Sequence, residues 1–122
     1  MARRRRRTVL LVDDEPLILR ALAHELSDFA KVTTADCGEA ALRLLDERTF
    51  DVVVCDLRLP DRWGDELLAH VAARSPETRR LLLTADPSPE RAVSELIASG
   101  VIQACYQKPR TASLVAAIRD SG

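Results

Sequence analysis

Short, continuously apolar runs alternate along this chain with longer stretches whose apolar residues recur every three or four positions. The runs predict strands at 8–12, 31–34, 51–55, 80–84 and 102–107, and the stretches between them predict amphipathic helices. One predicted helix stripe is Leu17, Ala21, Leu22 and Leu26, and a second is Ala41, Leu44 and Leu45. Leu67, Leu68, Val71 and Ala72 form a third, Val93, Leu96 and Ile97 a fourth, and Leu114, Val115 and Ile118 a weaker fifth. The third strand, DVVVC, carries no polar residue after its first, as expected of a strand buried on both faces. Punctuation supports these limits. Ser88-Pro89-Glu90 has the order of an N-cap, an N1 proline and a first-turn acid, and Gly100 stands where a helix-ending glycine belongs. Gly38 opens the second helical region, and Pro60 with Gly64 marks a loop. Five β-α units in strict alternation predict a doubly wound α/β sandwich, a parallel sheet with helices on both faces.

Composition narrows the class. The 122 residues suffice for one domain, and 47% hydrophobic with 30% charged residues excludes disordered and fibrous chains. Aromatics make up only 3%, so the core is aliphatic. No apolar run approaches the length of a bilayer-crossing helix. Five of the 18 basic residues lie at 3–7, which reads as a basic disordered arm over 1–7 ahead of a domain at 8–120. Without that arm, 13 basic residues face 19 acidic ones, a balance that argues against nucleic-acid binding by the body. Three cysteines, Cys37, Cys55 and Cys105, with no CxxC, read as reduced thiols of a cytoplasmic protein.

In a doubly wound sheet, ligands bind beyond the carboxyl ends of the strands. Asp13 and Asp14 follow the first strand, Asp56 the third, Thr84 ends the fourth, and Lys108-Pro109 follows the fifth. Any one of these could be a solvated loop residue, but four strand ends carrying them at one pole could not all be. Three close carboxylates with open water positions suit Mg²⁺, and a lysine with a hydroxyl suits a phosphoryl group. With that charge neutralised, a carboxylate oxygen can attack phosphorus. Asp56, alone at the end of the central strand, is the nucleophile of choice, and Asp13 and Asp14 are better placed as metal ligands. Glu15 reads as a first-turn acid ahead of Pro16.

LLVDDEP, VVVCDLRLPDRWG, LLLTAD and YQKP, in this order and over nearly the whole chain, resemble the receiver domain of bacterial two-component response regulators. The resemblance implies a flavodoxin-like fold with strand order 2-1-3-4-5. It implies that Asp56 accepts a phosphoryl group from a histidine kinase or phosphotransfer protein. Mg²⁺ would be held by Asp14, Asp56 and the Arg58 carbonyl, with Asp13 direct or through water. Lys108 would pair with the phosphoryl group, and Thr84 would carry the signal to the face of helix 4, strand 5 and helix 5. A downstream effector or output domain, a homodimer and a cis Lys108–Pro109 bond are further implications; enzymatic turnover is not.

Three positions depart from the family pattern. The usual aromatic three residues before the lysine is Cys105, while Tyr106 sits one place later, where strand alternation points it to the other face. Trp63 stands before Gly64 where Asp is common. Arg58 and Asp86, opposite in charge, occupy the two positions that flank the attacking water. The competing readings are a degenerate receiver that binds a partner without phosphorylation and a haloacid-dehalogenase-like phosphatase. The latter lacks its Asp-x-Asp, its second acidic pair and a cap domain.

Overall fold

The computed structural model describes residues 6–85 and 92–120. Its elements are β1 (Arg7–Val12), α1 (Pro16–Leu26), β2 (Ala30–Ala35), α2 (Gly38–Glu47), β3 (Val52–Asp56), α3 (Gly64–Arg74), β4 (Arg79–Thr84), α4 (Val93–Ala98), β5 (Ala104–Gln107) and α5 (Ala112–Asp120). The five strands are parallel in the order β2-β1-β3-β4-β5. The expected fold class and strand order are therefore those observed. No helix among the described residues is long and apolar enough to cross a membrane.

Alternation along the strands divides the interior into two layers. Leu10, Val12, Val53, Cys55 and Leu82 pack with Leu67, Leu68 and Val71 of α3 and Ala41 of α2. Val9, Leu11, Val52, Val54, Leu81 and Leu83 pack on the other face with Leu22 and Leu26 of α1 and Leu114 and Ile118 of α5. All of these are buried, as both faces of a covered parallel sheet require.

Several expectations are corrected. The inward face of α1 is Ile18, Leu22 and Leu26 with Leu19 and Ala23, while Ala21 is exposed and Leu17 is 76% exposed. The run Leu17-Ile18-Leu19 supplies apolar residues all around the first turn, so spacing alone did not fix the phase of the stripe. The fifth strand begins at Ala104, not at 102, because Ile102 donates its N–H to Leu96 O at the end of α4. Arg7 belongs to β1, opposite Ala30, and Arg6 donates to Ser27 O, so these two arginines are part of the fold. The arginines at 3–5, the Ser88-Pro89-Glu90 cap and Asp86 lie outside the described residues. Gly100 follows α4 with φ +83°, the left-handed turn for which glycine is suited.

Candidate functional site

The parallel register brings the strand ends level. Val12 lies opposite Cys55, Asp56 opposite Leu83, and Thr84 opposite Gln107. One residue past these positions, Lys108 N donates to Thr84 O at 2.8 Å and Asp13 N to Ala35 O at 3.1 Å. Asp13, Asp56, Thr84 and Lys108 are buried and Asp14 is exposed. Asp14, Glu15, Asp56, Arg58, Thr84, Ala85 and Lys108 line one open cavity of about 300 Å³. Every side chain singled out from the sequence at the strand ends thus reaches the same pocket or its floor. The Lys108–Pro109 peptide bond is cis.

Lys108 is the electrostatic centre of the pocket. Its Nζ lies 2.8 Å from Asp13 Oδ2, 3.2 Å from Asp56 Oδ2 and 3.1 Å from Glu15 Oε1. Burial by itself would lower the lysine pKa, but the contacts with Asp13, Asp56 and Glu15 outweigh it and hold the ammonium well above its ordinary range. Burial pushes Asp56 up to about 6; the neighbouring charge of Asp13 adds to this, and Lys108 and the backbone of Arg58 oppose it. Four carboxyl groups, Asp13, Asp14, Glu15 and Asp56, around one ammonium leave an excess of negative charge.

Glu15 was read as a helix-terminal acid, and its position is different. It occupies the N-cap of α1 without a side-chain capping bond, and its carboxylate reaches Lys108 across the pocket. The cap-like role belongs to Asp13, whose Oδ1 accepts from Glu15 N at 2.9 Å.

The donor set fits a divalent cation. Asp13, Asp14 and Asp56 each offer a carboxylate oxygen, and these atoms lie within 4.8 Å of one another. Asp13 Oδ2 is buried and faces the Lys108 ammonium at 2.8 Å, a contact that uses only part of its accepting capacity. An oxygen in that state keeps lone pairs for a metal, and an all-oxygen set suits Mg²⁺.

The loop from Asp56 to α3 has signals that sequence reasoning missed. Leu59 N donates to Arg62 O and Gly64 N to Leu57 O at 2.7 Å, and Arg58 forms an antiparallel bridge with Trp63. A Cβ at Gly64 would collide with the carbonyl oxygen of Asp56, so glycine is required here by close approach. Trp63 packs on the core layer of α3, and the Arg58 guanidinium lies 5.5 Å from its ring centroid. The tip of the loop is fixed by Asp61, whose two oxygens accept from Gly38 N and Glu39 N at 2.8 Å each. On β5, Cys105 packs in the same layer as Leu82, and Tyr106 packs in the layer of α1 and α5. The ladder from Ala104 to Gln107 runs in unbroken register, so Tyr106 does point away from the Cys105 face.

The family model for the response regulator receiver domain matches residues 9–119. This chain belongs to that family. It is 36% identical over 94 residues to the probable transcriptional regulatory protein TcrX of Mycobacterium tuberculosis, covering 76% of this chain and 40% of that protein. The signal receiver domain of an HD domain-containing protein from Pseudomonas fluorescens superposes with a TM-score of 0.86 at 34% identity, covering 99% of this chain and 90% of that one. The BeF3-activated receiver domain of DrrB, from Thermotoga maritima, superposes at 0.80 with 30% identity, covering 93% and 95%. The receiver spans 40% or less of the length of the first curated relatives it matches.

Proposed function

We propose that this receiver domain takes a phosphoryl group onto Asp56 and uses the modified state as a signal. The observation that carries the reading is the convergence of Asp13, Asp14, Asp56 and Lys108 at one pole, three carboxylates around a single buried ammonium. In the step, one Asp56 carboxylate oxygen forms a bond to phosphorus as the bond from phosphorus to the donor breaks. The leaving group departs with the electron pair of that bond.

Asp13, Asp14, Asp56 and the Arg58 carbonyl are the groups that would hold Mg²⁺. When bound, the ion supplies charge neutralisation to the phosphoryl oxygens. The rest falls to the chain itself. Lys108 is already within 3.2 Å of Asp56 and needs only to exchange carboxylate for phosphoryl oxygens. Thr84, one residue past Leu83, which lies opposite Asp56, is placed at the pocket to donate its hydroxyl to the same group. Glu15 competes for Lys108 before phosphorylation and yields it afterwards.

The donor is a histidine kinase or phosphotransfer protein, and the output is read on the face of α4, β5 and α5. Relatives named as transcriptional regulators suggest an output domain as the recipient. Cys105 and Tyr106 point into opposite layers, which speaks against a relay from Thr84 to an aromatic side chain. The activity is self-modification and slow reversal, not turnover of a substrate.

Incubation with acetyl phosphate and Mg²⁺, followed by intact mass, tests the reading. A phosphoryl mass gain that vanishes in Asp56→Asn is the expected result. Gain that survives Asp56→Asn, or no gain with any donor, would overturn it, the latter in favour of a phosphorylation-independent binding module.

A further inference from the structure

The N-terminus of α2 is accounted for donor by donor. Gly38 N and Glu39 N give their hydrogens to the two oxygens of Asp61, Ala40 N donates to Cys37 Sγ at 3.4 Å, and Ala41 N donates to Cys37 O. A helix N-terminus left with free N–H groups takes an anion, and here the anion comes from another loop, 23 and 22 positions on in the chain. The backbone bond from Gly38 foremost, with that from Glu39, holds the Asp61 carboxyl below the usual carboxylate range. Arg62 closes the joint from above: its aliphatic stem lies where a Cβ on Gly38 would stand.

Asp61 is the tip of the segment that begins at Asp56. The base of this segment is fixed by Leu57 N on Leu83 O, by Gly64 N on Leu57 O and by the Arg58–Trp63 bridge. Its tip has one attachment of comparable strength, the pair of bonds to α2. From α2 the chain runs back through Cys37 to the end of β2, and Ala35 O there accepts from Asp13 N. A continuous path of bonded groups therefore joins the loop that presents Arg58 to the loop that presents Asp13 and Asp14.

We propose that Asp61 is a positioning residue for the metal pocket, clamping the Asp56–Gly64 loop to α2 so that the Arg58 carbonyl and the Asp13–Asp14 pair are held at a fixed separation. This rests on the reading of the pocket as a Mg²⁺-dependent phosphoacceptor site. Asp61 touches neither metal nor phosphoryl group. Its contribution is to the geometry of the ligands, and so to the affinity of the site and less to the chemical step once the site is filled.

The experiment is a Mg²⁺ titration of the whole chain, followed by the fluorescence of Trp63, the sole tryptophan, for the parent, Asp61→Ala and Asp61→Asn. Phosphorylation rates from acetyl phosphate are measured alongside, at limiting and at saturating Mg²⁺. Asp61→Ala is expected to weaken Mg²⁺ binding ~10-fold, to slow phosphorylation at limiting Mg²⁺, and to regain the parent rate at saturation. Asp61→Asn keeps one acceptor oxygen and is expected to fall between the two; it also carries the test should the alanine variant not fold. A folded variant that binds Mg²⁺ with parental affinity overturns the proposal. So does a rate defect that saturating Mg²⁺ leaves in place. A parent that binds Mg²⁺, responds to Asp61, and takes no phosphoryl group overturns the underlying reading and leaves the clamp standing. A parent that binds no Mg²⁺ overturns both.

Discussion

Two buried cations lie at opposite ends of this sheet, and they are neutralised in different ways. Arg80, near the start of β4, donates to four backbone carbonyls: Val101 O and Gly100 O at 2.9 Å, Pro76 O at 3.0 Å and Thr78 O at 2.7 Å. Lys108, past the end of β5, faces three carboxylates. Carbonyl dipoles are set by the backbone, and Arg80 fills a fork of fixed directions with them. It has one arrangement. Carboxylates carry full charge on rotatable side chains, so a new anion or a metal in the pocket can divide them afresh. The first cation is a rivet between the α3–β4 and α4–β5 turns, and the second is a group held ready to change partners.

The contrast can be broken from either side. The largest effect is expected from Lys108→Met, which removes the cation that the proposed function sets against the phosphoryl oxygens. It should slow phosphorylation from acetyl phosphate ~100-fold, followed as mass gain against time. A rate close to the parent's would show that the lysine only balances charge at rest. Arg80→Met should act on stability instead. Four carbonyls lose their donor together, that of Thr78 in a buried setting and the others partly open to water, and a loss of ~2 kcal/mol is expected in urea melts. The folded fraction should phosphorylate at the parent rate, and Mg²⁺ should not recover the lost stability. A large rate defect in folded Arg80→Met would mean that the rivet also shapes the pocket.

The smallest effect concerns Asp56 itself, in EDTA. Its folded pKa of about 6 lies above the ordinary 3.8, so between these values the folded state binds more protons than the unfolded one. Stability therefore falls as pH rises through that window, and the charged carboxylate remains unfavourable above it. Asp56→Asn removes that penalty. Because the pocket is open to solvent, the gain above pH ~6 is expected to be ~1 kcal/mol, well under the full value of the shift. It should shrink to nothing as pH approaches ~4. Thermal melts of both proteins across this range check it, and a variant less stable than its parent at neutral pH would reverse the sign of the argument.

Strands, helices and the residues at the strand ends were legible because each follows from local pattern. Continuous apolar runs and runs of period three to four mark the elements, and the first polar residue after an apolar strand marks the pole. What was not legible depends on groups distant in the chain. Nothing local says that Asp61 belongs to α2, or that Glu15 crosses to Lys108, 93 positions away. Gly64 looked like loop punctuation, whereas its reason is the carbonyl of Asp56. Ile102 has the apolar character of a strand residue and is buried like one, but its N–H is committed to the turn after α4. The α1 stripe failed for the opposite reason, an excess of apolar residues in one turn.

The division of the interior into two layers has a thermodynamic consequence. Val53 and Val54 are neighbours in sequence, yet one packs with α2 and α3 and the other with α1 and α5. Truncating both should cost nearly the sum of the separate losses, because their cavities open into different compartments. Val53 and Leu82, far apart in the chain, share a compartment, and their losses should not simply add. Proximity along the backbone is thus a poor guide to energetic coupling in this protein; the face of the sheet is the better coordinate.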